Sequence, residues 1–170
     1  IGQELVQITR RMFPLSDKRE DTFIGGLSMG GFGALRNGLR YNDTFSRIVS
    51  LSPALHMFDG PDGPIMGFLG KGEEAWEEVV NSDVNPRWLL ENLKGEKPGI
   101  YLACGLQDEL LPGAQSFRRL LTKEGFTLHY VEDEGRHDWD YWDRHIKLAL
   151  DWLPLDERVG GLNSGNIKGE

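Results

Sequence analysis

The sequence predicts a three-layer α/β/α domain with a mostly parallel sheet, and three observations predict it. Apolar strand-like runs alternate with helical runs in the order α-β-α-β, a loop-rich middle, then β-α-β-α. Such alternation makes parallel sheets covered by helices. The first strand runs into a glycine-flanked turn, Gly26-Leu27-Ser28-Met29-Gly30, with a helical run behind it. Residue types capable of acid–base chemistry recur just after strands, at the carboxyl edge where sites form in such sheets.

Ile1, Leu5, Ile8 and Met12 recur at helical spacing and Pro14 stops them, which predicts an amphipathic helix ending near Phe13. Residues 22–25 form a short buried strand, and a helix runs from Met29 to about Leu39. The second strand is residues 47–51, ended by Ser52-Pro53. Glycine and proline make residues 59–72 a loop, and residues 73–80 suit a short helix. Asn85-Pro86 reads as an N-cap followed by proline at the first helical position. The third strand is 100–104. Ala114, Phe117, Leu120 and Leu121 mark a helix closed by Gly125. The fourth strand is 126–131. Trp139, Trp142, Ile146, Ala149, Leu150 and Leu153 form the face of a last helix. The expected organisation is a domain over 1–155, with 55–97 as a cap-like insertion of loop and short helices, and a frayed tail over 156–170.

Composition narrows the function classes. Hydrophobic residues make up 39% of the 170, and the 22 glycines bring the apolar share into the globular range. A net charge of −8 disfavours nucleic acid and anionic membranes, which need basic patches. No apolar run approaches the ~20 residues of a membrane span. The single cysteine, Cys104, excludes an intrachain disulfide and a multi-thiolate metal site. One cysteine and a pI near 5.0 favour the cytoplasm without excluding secretion. A homo-oligomer is left open.

The turn at Ser28 fits G-x-S-x-G. A strand that turns sharply into a helix presents a serine at its tip, and glycine two residues to either side relieves contact with neighbouring backbone. The Met29 backbone N–H would then face a developing oxyanion at the helix N-terminus. The other reading of such a turn is a phosphate cradle; the apolar strand before it and the helix after it favour the serine. A serine hydroxyl needs a base, and the base an orienting acid. Of the four histidines, His137 follows the fourth strand in a loop, where the base belongs. His145 reads as a helix-surface residue, His129 as a strand residue packed on a helix or solvent, and His56 as a pocket residue preceding any well-placed acid. Asp108 follows the third strand and is the expected acid, with Glu109 as its nearest rival and Asp133 as a weaker option. Asp138, Asp140 and Asp143 complement the dipole of the last helix. Glu73, Glu74, Glu77 and Glu78 read as a solvated face. Trp139 and Trp142 read as core, with Trp139 able to brace His137 from beside it.

Four stretches carry a family resemblance. Residues Gly26 to Leu35 (GLSMGGFGAL), Leu51-Ser52-Pro53-Ala54, Ala103 to Asp108 (ACGLQD) and Gly135 to Trp142 (GRHDWDYW) resemble the esterase-D-like "putative esterase" group of α/β-hydrolases. That group includes tributyrin-type short-chain esterases, S-formylglutathione hydrolases, feruloyl and acetylxylan esterases, and mycolyltransferases. Phe13-Pro14-Leu15-Ser16-Asp17 is similar to the tributyrin-type branch. The resemblance covers residues 3–155. It implies Ser28 as nucleophile, Asp108 as acid, His137 as base and the Met29 N–H as one oxyanion donor, with no cofactor or metal. It also implies a preceding half with about four strands and an H-G-type loop that supplies the second oxyanion donor.

The expected activity is hydrolysis of short-chain acyl esters, small molecules, through an acyl-enzyme. Thioester hydrolysis or acyl transfer by the same residues is the alternative, with Met57, Phe58, Ile65, Met66, Phe68 and Trp76 as candidate pocket lining, several of them alternatively ordinary core. From another class, the chain reads as a non-catalytic or incomplete hydrolase fragment. An absent oxyanion donor costs on the order of 10²–10³ in rate, so the expectation is a truncated chain with its N-terminal strands missing and low activity alone.

Overall fold

Alternation along the central strands sorts their side chains onto two faces, and each face acquires its own helices. The computed structural model describes residues 2–58, 60, 62–63, 66–69 and 72–155. Strands β1 (Phe23–Leu27), β2 (Arg47–Leu51), β3 (Gly99–Gly105) and β4 (Leu128–Asp133) form a parallel sheet in sequence order. Phe23 lies opposite Arg47, Arg47 opposite Gly99, and Ile100 opposite Leu128, so all four strands end at one edge.

Helix α1 (Glu4–Met12) precedes the sheet, and α2 (Met29–Arg40) crosses from β1 to β2. Between β2 and β3 lie a 3-10 turn (Leu55–Phe58) and the short helices α3 (Met66–Leu69), α4 (Glu73–Val80) and α5 (Pro86–Glu91). Helix α6 (Leu111–Lys123) crosses from β3 to β4, and α7 (Trp139–Trp152) closes the described chain. Ile48, Ile100 and Leu102 meet Leu35 and Leu39 of α2, Leu90 of α5, and Phe117 and Leu121 of α6 on one face. Leu51, Tyr101 and Ala103 meet Tyr141, Trp142 and Ala149 of α7 on the other. Every residue of β3 is buried, as a central strand covered on both faces requires.

The expected fold class holds, with differences in detail. β4 starts two residues later than predicted, because Phe126 fills the core from the turn after Gly125, whose φ is +68°. The expected loop over 59–72 contains α3. Asn85 caps α5 as predicted, its side chain accepting from the Arg87 N–H at 3.0 Å. Of the residues left open between pocket lining and core, Met66 and Trp76 pack with Val79 and Phe32 in a small core. Ile65, the side chains of Met57, Phe58 and Phe68, and the tail expected over 156–170 lie outside the described residues.

The amphipathic helix at the start forms, yet none of its residues is buried: Leu5, Ile8 and Met12 stay exposed. Beside it β1 is an edge strand, paired with β2 alone among the described residues. An apolar groove of about 320 Å³ runs along β1, between Phe23 and Leu27 of that strand and Ile146, Leu150 and Leu153. Among the described residues no helix is long and apolar enough to cross a membrane.

Candidate active site

Ser28 sits between the last residue of β1 and the first of α2, with φ +55° and ψ −120°. A non-glycine residue holds such a backbone only where its surroundings dictate it. Here the Ser28 N–H donates to the Leu51 carbonyl at 2.9 Å, and its own carbonyl accepts from the Phe32 and Ala54 N–H groups, both at 3.1 Å. The glycine pattern acts differently from the prediction. A Cβ at Gly26 would lie 2.3 Å from the Gly30 carbonyl oxygen, whereas one at Gly30 would meet nothing within 4 Å. The second crowded position is Gly31, where a Cβ would lie 2.7 Å from the Leu51 carbonyl oxygen; its absence lets α2 settle on β2. Met29 opens α2, so its N–H is among the first-turn donors that the helix itself leaves unpaired.

The structure brings together Ser28, Asp108 and His137 from three loops at the carboxyl edge. His137 Nε2 lies 2.9 Å from Ser28 Oγ, and His137 Nδ1 lies 3.0 Å from Asp108 Oδ2. Asp108 is a carboxylate acceptor, so Nδ1 carries the ring proton and Nε2 is left to accept from the serine hydroxyl. That tautomer can take a proton from Ser28.

The Asp108 side chain is wholly buried and, among the described residues, is paired with no guanidinium or ammonium group. Burial alone would raise its pKa. The Leu110 N–H (2.9 Å to Oδ1), the Ser52 hydroxyl and His137 outweigh burial together and hold it below the ordinary carboxylate range. Glu109, its rival, is exposed. Burial first, then the neighbouring Asp108 charge, push the Cys104 thiol up to about 12, so it is no nucleophile.

The acid and histidine loops are stitched to each other. The Leu106 N–H donates to the Asp133 carbonyl and the Gln107 N–H to the Gly135 carbonyl, both at 2.9 Å. The Gln107 side chain returns the contact, accepting from the Gly135 N–H at 2.8 Å. A Cβ at Gly105 would lie 2.3 Å from the Gly135 carbonyl oxygen, so this approach needs glycine. The loop then enters α7 under an Asp138 cap, which accepts from the Tyr141 N–H at 3.1 Å.

Two residues, Trp139 and His145, stand where the sequence reading did not put them, and Trp142 is core as expected. Trp139 is 64% exposed rather than core, resting edge-on against Trp142 at 5.4 Å. Trp142 is buried and meets the His137 ring edge-on at 4.9 Å; its indole N–H donates to Ser52 Oγ at 3.2 Å. His145 is not on the surface but fully buried, between the Tyr101 hydroxyl (3.1 Å) and Asp133 Oδ1 (3.0 Å). Asp133, the weaker acid candidate, therefore serves His145 and not His137. His129 stacks on the Tyr101 ring at 5.0 Å, and His56 is exposed.

Burial lowers the His145 pKa; its bond to Asp133 works against that and Arg144 adds to it. A depressed base binds its proton more readily in the unfolded chain, so stability present above the unfolded value is lost as pH falls through about 6.5 toward the folded value. His145→Gln keeps a polar side chain that cannot titrate. Its thermal midpoint is expected to fall less than that of the unsubstituted chain between about pH 7.5 and pH 5.5. Equal falls in the two melts would contradict this origin.

The family model described as "Putative esterase" matches residues 1–153. The chain is 40% identical over 169 residues to the acetyl esterase of Caldicellulosiruptor saccharolyticus, a match covering 90% of this chain and 62% of that protein. Among solved structures it is similar to the substrate-bound fluorophosphonate-binding serine hydrolase F of Staphylococcus aureus, at 30% identity and a TM-score of 0.73, covering 90% of this chain and 62% of that one. It is also similar to the S-formylglutathione hydrolase of Staphylococcus aureus, at 29% identity and a TM-score of 0.72, covering 88% and 61%. The chain thus spans about three fifths of each of these proteins.

Proposed function

We infer the reaction from one premise: the chain belongs to the "Putative esterase" family of α/β-hydrolases. On that premise the protein is a serine carboxylesterase for short-chain acyl esters. The observation that carries this reading is the relay from Ser28 Oγ through His137 to Asp108, with links of 2.9 and 3.0 Å.

In the proposed reaction His137 Nε2 takes the Ser28 hydroxyl proton as Oγ attacks the ester carbonyl. The Met29 N–H receives the negative charge that develops on the carbonyl oxygen. As the tetrahedral intermediate collapses, the ester C–O bond breaks and Nε2 gives its proton to the departing alkoxide. Water, deprotonated by the same nitrogen, then releases the acid from Ser28. Asp108 stays ionised throughout and holds the ring in the tautomer that can accept. Within residues 55–97, the part outside α5, whose Leu89 and Leu90 belong to the main core, is the proposed cap over the acyl pocket. The described residues offer one oxyanion donor, and turnover by the 170-residue chain alone is expected to be low.

The name of the acetyl esterase relative supports a short acyl group. The likeness to an S-formylglutathione hydrolase supports a second reading, thioester hydrolysis by the same residues. Mixing the chain with p-nitrophenyl acetate should release about one equivalent of nitrophenolate in a burst, followed by slower turnover. Rates on S-acetylglutathione measured in parallel separate the readings: an ester preference supports the first and a thioester preference the second. Slow linear release with no burst would count against both.

A further inference from the structure

The nucleophile, base and acid account for three side chains at the carboxyl edge. Two others at the same edge, Ser52 and Trp142, form a closed circuit with them. Ser52 is fully buried, follows β2 and has φ +44°, a backbone region that L residues seldom hold. Its N–H donates to the Ala103 carbonyl at 2.7 Å, which fixes it beside the end of β3 and below the loop that carries Asp108. Its hydroxyl has three neighbours: the Trp142 indole, the Asp108 carboxylate and the buried Cys104 thiol. The Trp142 indole N–H can only donate, and it points at Ser52 Oγ at 3.2 Å. The Asp108 carboxylate can only accept, and the Ser52 hydroxyl acts on it as a donor. With a lone pair taken by the indole, the hydroxyl proton goes to the carboxylate, a far stronger acceptor than the neutral Cys104 sulfur. Trp142 closes the circuit by its other surface, meeting the His137 ring at 4.9 Å and 87°.

We propose that Ser52 and Trp142 are positioning residues for the Asp108–His137 pair. The indole N–H sets the direction of the Ser52 hydroxyl, the hydroxyl gives its proton to Asp108, and the indole ring holds His137 against the same carboxylate. One side chain thereby orients the acid through Ser52 and the base by direct contact. The kinetic consequence rests on the ester-hydrolysis reading; the geometric one does not.

The test uses the full 170-residue chain and its Ser52→Ala, Trp142→Phe and doubly substituted forms, each checked by a cooperative thermal melt. Trp142→Phe keeps an aromatic ring beside His137 and removes the indole donor. One readout is the rate of covalent labelling of Ser28 by a fluorophosphonate. The other is the downfield proton resonance of His137 Nδ1, which reports its bond to Asp108 without any reaction. Each single substitution is expected to slow labelling by about 10- to 100-fold, the loss of one bond to a charged group. The double form should be no more than about twofold slower than the slower single, because both changes cut the same chain. The Nδ1 proton should broaden or exchange faster in both singles. Multiplying rate losses, or an unaltered Nδ1 proton in Ser52→Ala, would overturn the proposal. If the unsubstituted chain is not labelled, the esterase reading fails and the Nδ1 proton alone decides this one. If Trp142→Phe does not melt cooperatively, Ser52→Ala decides by the same resonance.

Discussion

Ser28→Ala is expected to lower kcat/KM for p-nitrophenyl acetate by on the order of 10⁴- to 10⁶-fold, the usual cost of removing a nucleophile that works as a unit with its base. The cause is chemical, because the hydroxyl that hydrogen-bonds His137 Nε2 at 2.9 Å is the atom that would attack. The fold should survive: Ser28 is held by its backbone bonds to Leu51, Phe32 and Ala54, and alanine keeps all three. A second substitution separates strain from chemistry. Ser28 holds φ +55°, a conformation that costs an L residue about 1 kcal/mol or more and glycine almost nothing. Ser28→Gly should therefore be as inactive as Ser28→Ala and melt at a higher temperature. Equal melting temperatures would contradict the strain assigned to this turn.

Asp108→Asn is expected to cost about 10⁴-fold in kcat with little change of shape. An amide can turn its NH₂ toward His137 Nδ1, which makes Nδ1 an acceptor and moves the ring proton to Nε2. Ser28 then faces a donor and has no base. The same substitution has a consequence for stability. A carboxyl whose folded pKa lies below its ordinary value stabilises the fold above that ordinary value, near 3.8, and loses the contribution as pH falls through the folded value. The asparagine form lacks this contribution, so its melting temperature should fall less between about pH 5 and pH 3. Steady-state rates and paired melts check both statements; a variant that keeps more than about a tenth of wild-type activity would remove Asp108 from the mechanism.

Much of the site was legible because its chemistry depends on local sequence. A strand, a glycine, a serine and a helix are contiguous around Ser28, and the resemblance over four short stretches named Asp108 and His137 on their strand ends. What escaped depends on partners distant in the chain. His145 looked like a surface residue because it sits between Arg144 and Ile146. Its spacing to Trp142 and Ala149 puts it on the buried helical face, but only the distant Asp133 and Tyr101 make burial of an imidazole affordable. Trp139 failed the other way: a large apolar side chain in the first turn of α7 lies outside the face that meets β2 and β3. The helix at the start was predicted from its own periodicity, which reports an apolar face and says nothing of what covers it. The glycine rule at Ser28 was right for Gly26 and misplaced for Gly30, since the second close approach is made by Gly31 against β2, an element the motif does not contain.

Acylation of Ser28 is the step on which the proposed reaction turns. Its most direct test is to quench the chain during turnover of p-nitrophenyl acetate and map the acetyl group by peptide mass spectrometry. One acetyl group per chain is expected, on the peptide that carries Ser28, absent from Ser28→Ala and much reduced in His137→Ala. An acetyl group on another residue, or one that persists undiminished in Ser28→Ala, would contradict it.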